Sequence, residues 1–274
     1  MIPENFPITD KTDISPLHII EWLFESMTLK TSPNIQYMMH SPNLYPEQLE
    51  ALCKIRISQL HTLASVRNIV RFESPNDPLS AVSFATYDTK RYLTAFMKKI
   101  TEIFSDADIK FDVVFKSAPD TICIDSKKTS FILCNLISNS VIHNKSSVKE
   151  IRVSASARGD DFIISVRDNG NGIPSSKQKS LFCAYEKMTY IENIDKTGGL
   201  TLTGLGLSVS QKEAAVMNGK ICYIPSSLYT EFELCIPQAP HRNKFFETKA
   251  YIPDDLEIYT LMAESLYYTK YMGS

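Results

Sequence analysis

At 274 residues the chain exceeds the ~100–200 residues of an ordinary domain, so one large or two moderate domains are expected. Hydrophobic residues make up 43% and charged residues 22%, with a formal net charge of −2, the balance of a soluble globular protein. That charge gives no reason to expect binding to nucleic acid or an anionic membrane, both of which need a concentrated basic face. No apolar run approaches the ~20 residues of a membrane-spanning helix, so no direct membrane insertion is expected. Met1 to Asp10 carries prolines and acids but no basic n-region, which predicts no secretory signal and a cytoplasmic location. Cys53, Cys123, Cys134, Cys183, Cys222 and Cys235 show no C-x-x-C spacing and read as thiols in a reducing compartment.

Ser15-Pro16 resembles a helix N-cap followed by proline at the first helical position, and Leu17, Ile20, Leu23 and Phe24 then recur on one face. That helix is expected to weaken at Thr31-Ser32-Pro33-Asn34. Pro42-Asn43 and Pro46 mark a turn, after which Leu49, Leu52, Cys53, Leu60, Leu63, Val66, Ile69 and Val70 keep an approximate helical period to about Phe72. Residues 8–73 therefore read as a helical hairpin. A hairpin cannot bury both its faces alone, so a homodimer forming a four-helix bundle is expected. Glu73 to Pro78, polar and with two prolines, reads as the domain boundary.

Beyond it the pattern turns mixed. A strand is expected over Ala81 to Tyr87, then a helix over Thr89 to Phe104 from its Tyr92, Leu93, Phe96, Ile100 and Ile103 stripe. Strands near Phe111–Phe115 and Thr121–Ile124 precede a helix from about Ser126 to Ile142. Ile151, Val153 and Ala155, then Phe162, Ile164 and Val166, alternate with other residues as two strands joined tightly at Arg158-Gly159-Asp160, which predicts an antiparallel pair. A helix from Gly204 to about Met217 and strands near Lys220–Ile224 and Glu231–Ile236 complete residues 79–237 as a two-layer α+β sandwich. In the extension 238–274, Pro253-Asp254-Asp255 begins a helix with a broad apolar face, expected to pack on its own domain rather than dock a partner.

Three segments carry the chemistry. Asn135 and Asn139 stand four apart on an otherwise apolar helix, so both amides face one way and need polar partners. Magnesium bridging ATP phosphates is one such partner, because it takes hard oxygen ligands; bonds to neighbouring loops are the other. Asp168-Asn169-Gly170-Asn171-Gly172-Ile173-Pro174 leaves a strand end, with a carboxylate able to accept from an adenine amino group and glycines that let backbone approach a flat base. Taken alone, such a run is also a common turn. Thr203-Gly204-Leu205-Gly206-Leu207 precedes a helix, where free N–H groups bind phosphate. It lacks the G-K-[ST] of a Walker loop and the context of a Rossmann turn.

In this order and context the segments resemble the N, G1 and G2 boxes of the GHKL superfamily, specifically the sensor histidine kinases, whose ATPase fold is of the Bergerat type. Asn135 to Ser140 is similar to the N box, Asp168 to Gly172 to G1, Thr203 to Leu207 to G2, and Phe182-Cys183-Ala184-Tyr185 to the box that starts the ATP lid. The resemblance covers about Leu79 to Pro237. It implies ATP and magnesium as ligands, Asn139 as the magnesium ligand and Asp168 as the adenine contact. It also implies Asn135 as a catalytic residue and a pocket shaped by Gly170, Gly172, Gly204 and Gly206, with His143 and Ile173 among its nucleotide-binding residues and Thr203, Leu205 and Leu207 over the phosphates. Residues from about Ser175 to Leu202 would form a lid whose Lys187 or Lys196 reaches the γ-phosphate.

Two departures stand out. The lysine expected three residues past the second asparagine is Ile142 here, removing one cation from the nucleotide's surroundings. The family's acceptor histidine, five residues before a proline-leucine pair, would fall at Lys11, with Pro16-Leu17 as that pair. None of His18, His40, His61, His143 and His241 is followed by an acid that could act as general base. His18, on the first helix with Glu21 one turn on, is the candidate that remains; the other reading is a surface or dimer-interface histidine. The resemblance implies transfer of the ATP γ-phosphate to a histidine and on to a response-regulator aspartate. The alternatives are a degenerate relative that binds ATP and regulates a signalling partner, and a serine kinase acting on a separate protein.

Overall fold

The structure, a computed structural model, describes residues 16–73, 81–184, 204–238 and 248–271. Lys11, Lys187, Lys196, Thr203 and most of the expected domain boundary lie outside the described residues.

Helices α1 (Pro16–Met39) and α2 (Pro46–Glu73) pack as an antiparallel hairpin. Arg67 on α2 meets Glu21 and Glu25 on α1 at 3.7 and 2.8 Å, while Gln59 Nε2 donates to Thr31 Oγ1 at 3.1 Å near the other end. The expected weakening at Thr31 to Asn34 does not occur, and α1 runs through Pro33. Proline deletes one amide donor there, but the polar side chains around it turn back onto helix carbonyls. Thr28 Oγ1 donates to Phe24 O and Thr31 Oγ1 to Met27 O, both at 2.8 Å, and Asn34 Nδ2 donates to Lys30 O at 3.2 Å. These groups act as internal ties rather than as the caps their composition suggests.

The remaining strands are β1 (Ala85–Asp88), β2 (Ile109–Lys116), β3 (Thr121–Ile124), β4 (Lys149–Arg158), β5 (Asp161–Asp168), β6 (Lys220–Ile224), β7 (Thr230–Pro237) and β8 (Thr248–Lys249). The main sheet has the order β2-β4-β5-β7-β6, with β2 parallel to β4 and the other pairs antiparallel. Arg158 pairs with Asp161, so Gly159, at φ +61°, and Asp160 form the tight turn the sequence predicts. A second sheet, β3-β1-β8, flanks it. Strand β1 is shorter than expected because Ser83 N donates at 2.7 Å to Asp125 Oδ2, drawing residues 81–84 toward the start of the helix that begins at Ser126 instead of along the sheet.

Four helices accompany these strands: α3 (Thr89–Ile103), α4 (Ser126–His143), the one-turn α5 (Ser175–Gln178) and α6 (Gly206–Val216). Asp88 and Asp125 cap α3 and α4 by accepting from Arg91 N at 2.8 Å and Lys128 N at 3.1 Å. The predicted α3 stripe is buried, with Tyr92, Leu93, Phe96 and Ile100 inaccessible. Side chains from α3, α4, α6 and the inner faces of β4, β5 and β7 form one continuous core.

The extension belongs to that core. Helix α7 (Asp255–Tyr271), capped by Asp254, which accepts from Glu257 N at 3.0 Å, packs on α4 and α2. Ile258, Leu261, Met262 and Leu266 join the main core, and Ala263 meets Ile57 and Leu60 of α2. One face of the hairpin is thus covered by the chain itself, whereas Ile20, Leu23 and Met27 on α1 remain 43%, 45% and 62% exposed. Upstream of α7, Tyr251 packs its ring 4.3 Å from that of Tyr92 and shares a 2.8 Å hydrogen bond with Ser130 on α4. Strand β8 carried no sequence signal, since two residues have no period. Among the described residues no helix is long and apolar enough to cross a membrane.

Because Tyr251 pins the extension to α4, Tyr251→Ala is expected to cost roughly 2–4 kcal/mol in denaturant unfolding, and Tyr251→Phe about 1 kcal/mol. Unchanged unfolding in both variants would show the extension to be an appendage.

Candidate nucleotide site

Helix α4 is buried almost all round. From Thr129 to Ile142 every side chain is buried except those of Asn135 and Asn139, which are half-buried and four residues apart. They face the same opening, and His143, exposed at the end of the helix, continues their row one turn on. Asn135 Nδ2 donates to Phe131 O at 3.2 Å, which turns its Oδ1 toward the start of α6; a Cβ added to Gly206 would lie 3.1 Å from that oxygen. The Asn139 amide makes no hydrogen bond with a described residue. Ile142, at the lysine position of the resemblance, is only 6% exposed. Its side chain belongs to the interior, where an unpaired ammonium would be costly.

Strand β5 places Asp168 beside α4, bonded to the Ser140 hydroxyl. The residue is 3% exposed, and its Oδ1 accepts from Gly170 N at 2.8 Å. Burial raises the carboxyl above its ordinary range, while bonds from Gly170 N and the Ser140 and Thr230 hydroxyls pull it part of the way back. The glycines of this turn have different roles. Gly172 sits at φ +68°, and a Cβ there would lie 1.9 Å from Ser226 O in the β6–β7 connection. Gly170 lies against Asp168 itself, 2.7 Å from Oδ1 on the same measure. Ile173 is held at both ends, its N–H donating to the Tyr223 hydroxyl at 2.9 Å and its carbonyl accepting from Gln178 Nε2 at 2.8 Å. Phe182 and Tyr223 both pack on Phe232, with ring centroids 6.4 and 5.4 Å apart, which anchors the segment after α5 to the sheet.

Two residues to which the motifs assign no role, Asn169 within the turn and Asn144 outside it, hold this turn in place. Asn169 Oδ1 accepts from Glu150 N at 2.9 Å and from Asn144 Nδ2 at 2.7 Å, while its Nδ2 donates to Val148 O at 3.0 Å. Asn144, buried just past α4, completes the knot by accepting from Ser146 N at 2.9 Å. The signal for Asn169 was its place inside the glycine turn, where an amide has both donors and acceptors to spend on a neighbouring strand.

The third segment closes the opening. Gly204 adopts φ +65°, Leu205 is fully buried, and α6 begins at Gly206 without a side-chain cap. Its first amides have no partner within the helix and stand at its positive end. Three remote segments thus meet, although Thr203 and the proposed lid lysines lie outside the described residues. Of the acceptor candidates, His18 lies on α1 and its side chain is not described. His61 is buried on α2, which lowers its pKa to about 4 and keeps it neutral at physiological pH.

Two stability effects follow. Gly172→Ala is expected to cost more than about 2 kcal/mol because the clash adds to the left-handed backbone, whereas Gly159→Ala, at similar φ but in open space, should cost about 1 kcal/mol. For Asp168 the folded pKa is raised, so its contribution to stability is present at low pH and is lost as pH rises through the folded value. Asp168→Asn should therefore raise the thermal midpoint of the nucleotide-free protein at neutral pH, and the gain should shrink on acidification; a lower midpoint at pH 7 would contradict this.

Residues 124–240 match the family of histidine kinase-, DNA gyrase B-, and HSP90-like ATPases. Sensor histidine kinase MtrB of Mycolicibacterium paratuberculosis is 25% identical over 183 residues, which is 66% of this chain and 31% of that protein. Signal transduction histidine-protein kinase BarA of Escherichia coli K12 is 24% identical over 204 residues, 73% of this chain and 21% of that one. The chain therefore spans less than a third of the length of these kinases. Among solved structures, full-length ShkA in complex with AMPPNP superposes with a TM-score of 0.63 at 20% identity, over 87% of this chain and 47% of that one. Histidine kinase ThkA in complex with response regulator protein TrrA gives 0.54 at 16% identity, over 83% and 61%. The family match and the similarity to sensor histidine kinases support a GHKL-superfamily ATPase domain of the histidine-kinase type, with a fold similar to that of the solved histidine kinases.

Proposed function

We propose that this pocket binds ATP with magnesium and that the chain acts as a histidine-kinase-type phosphoryl donor in signalling. The observation that carries this reading is the meeting of a buried acceptor, Asp168, with two outward amides on α4 and the uncapped start of α6. Asp168 accepts from the adenine amino group, and Gly170 and Gly172 keep the approach to the base free of side chains. The first amides of α6, with Gly204 and Gly206 giving close access, take the phosphates. Asn139 supplies a neutral amide oxygen, a hard donor that suits magnesium, whose remaining ligands are phosphate oxygens and water. When bound, that ion neutralises charge on the phosphates. The chain's own part in transfer is to hold the base, aim the phosphates and exclude water.

The likeness to ThkA, which was solved together with its response regulator protein TrrA, supports a response regulator as partner. The exposed Ile20, Leu23 and Met27 stripe, at helical spacing on α1, supports a homodimer through the hairpin. A second reading, an ATP-binding regulator without autophosphorylation, is favoured by the buried Ile142 and by Lys11 in the acceptor position.

Incubation with γ-labelled ATP is expected to give acid-labile, alkali-stable label that His18→Ala removes. ATP binding without label would assign the second reading, and acid-stable label on an added protein would assign serine kinase activity. Asn139→Ala and Asp168→Asn should each weaken magnesium-ATP binding by about 1.5–3 kcal/mol, roughly ten- to a hundredfold, in calorimetry. Wild-type affinity in both would remove the pocket assignment.

A further inference from the structure

The end of the hairpin grips the helix whose start faces the phosphates. Arg71, in the last turn of α2, reaches Glu213 of α6 at 3.9 Å and Glu257 of α7 at 3.4 Å, and its guanidinium lies 4.0 Å from the centre of the Phe131 ring on α4. Glu213 is also held by Lys128 of α4 at 2.7 Å. One residue away, Lys212 donates at 2.6 Å to the carbonyl of Phe72 and covers that residue's ring. The C-terminal half of α6 is therefore fastened to α2 and α4, while its N-terminal end has no cap.

We propose that Arg71 is a positioning residue that holds α6 for phosphate binding and thereby couples nucleotide occupancy to docking of the hairpin on the ATPase domain. The proposal rests on the ATP reading above. Two physical routes join Arg71 to the glycine turn. One runs along α6 from Glu213 to Gly206, a rigid stretch of about two turns. The other crosses α4: the Phe131 ring lies under Arg71, the Phe131 carbonyl accepts from Asn135, and Asn135 Oδ1 faces Gly206. A helix already fixed in place presents its amides to phosphate without a further ordering cost, so docking strengthens ATP binding. By linkage, ATP strengthens docking by the same factor.

The contact is also built to open. Arg71 Nη1, in the contact itself, is buried without a hydrogen-bond partner among the described residues. Buried polar groups in a permanent interface are nearly always paired. Undocking hydrates this N–H group, which offsets part of the lost attraction and brings the docked and undocked states closer in free energy.

Hydrogen exchange on the full chain tests this. Magnesium-ATP is expected to slow exchange at residues 68–73, which do not line the pocket, whereas adenosine, having no phosphates, leaves them unchanged. Arg71→Ala should weaken ATP binding about tenfold and leave adenosine affinity intact, with Arg71→Lys in between. If Arg71→Ala does not fold, the wild-type exchange comparison decides alone. ATP binding without slower exchange at 68–73, or equal slowing by adenosine, overturns the proposal while leaving the ATP reading in place. Failure of the wild type to bind ATP removes both.

Discussion

Burial of α4 on all sides is the constraint from which the rest of the structure follows. An 18-residue helix rich in Phe131, Ile132, Leu133, Leu136, Ile137 and Val141 cannot present a polar face to water, so it has to be surrounded. The sheet covers one side through β4 and β5, α6 covers another, and α7 covers a third. This explains why the C-terminal extension is part of the core. It also explains why Asn135 and Asn139 define a site. In a helix otherwise sealed from solvent, two amides that reach an opening mark where the interior was left accessible.

The walls of that opening are held at a cost to stability. Asp168 remains buried with its ionisation disfavoured, compensated by bonds from Gly170, Ser140 and Thr230. Gly172 allows the turn to press onto the Ser226 carbonyl, and Gly206 allows α6 to close on Asn135. Asn169 and Asn144 spend their amides on fastening the turn to β4, so the polar groups nearest the pocket are mostly occupied by structure. The groups left over are the outward side of Asp168, the Asn139 amide and the first N–H groups of α6, an acceptor at one end and donors at the other.

The hairpin has two different faces for the same reason. Ile57 and Leu60 are covered by α7, so the chain supplies internally some of the apolar contact that a helical hairpin otherwise seeks from a partner. The α1 stripe stays exposed. Arg71 stands where hairpin, α4, α6 and α7 converge, which makes the joint between the two regions a matter of charge as well as of packing.

The elements with long, regular periods were legible in the sequence: both hairpin helices, α3, α4, the β4–β5 pair and the three pocket segments. Spacing alone places residues on a common face of a helix or strand, and glycine alone satisfies a left-handed turn, so these features need no distant contact to be read. Tertiary structure decided the rest. Continuation of α1 through Pro33 depends on where Thr31 and Asn34 turn their side chains, and β8 exists only because β1 offers it an edge. The positions of α7 and Arg71, the inward turn of Ile142 and the knot around Asn169 depend on contacts between residues remote in the chain. Local pattern carries no record of such contacts, because it fixes which way a side chain faces on its own element and not what the fold brings opposite it.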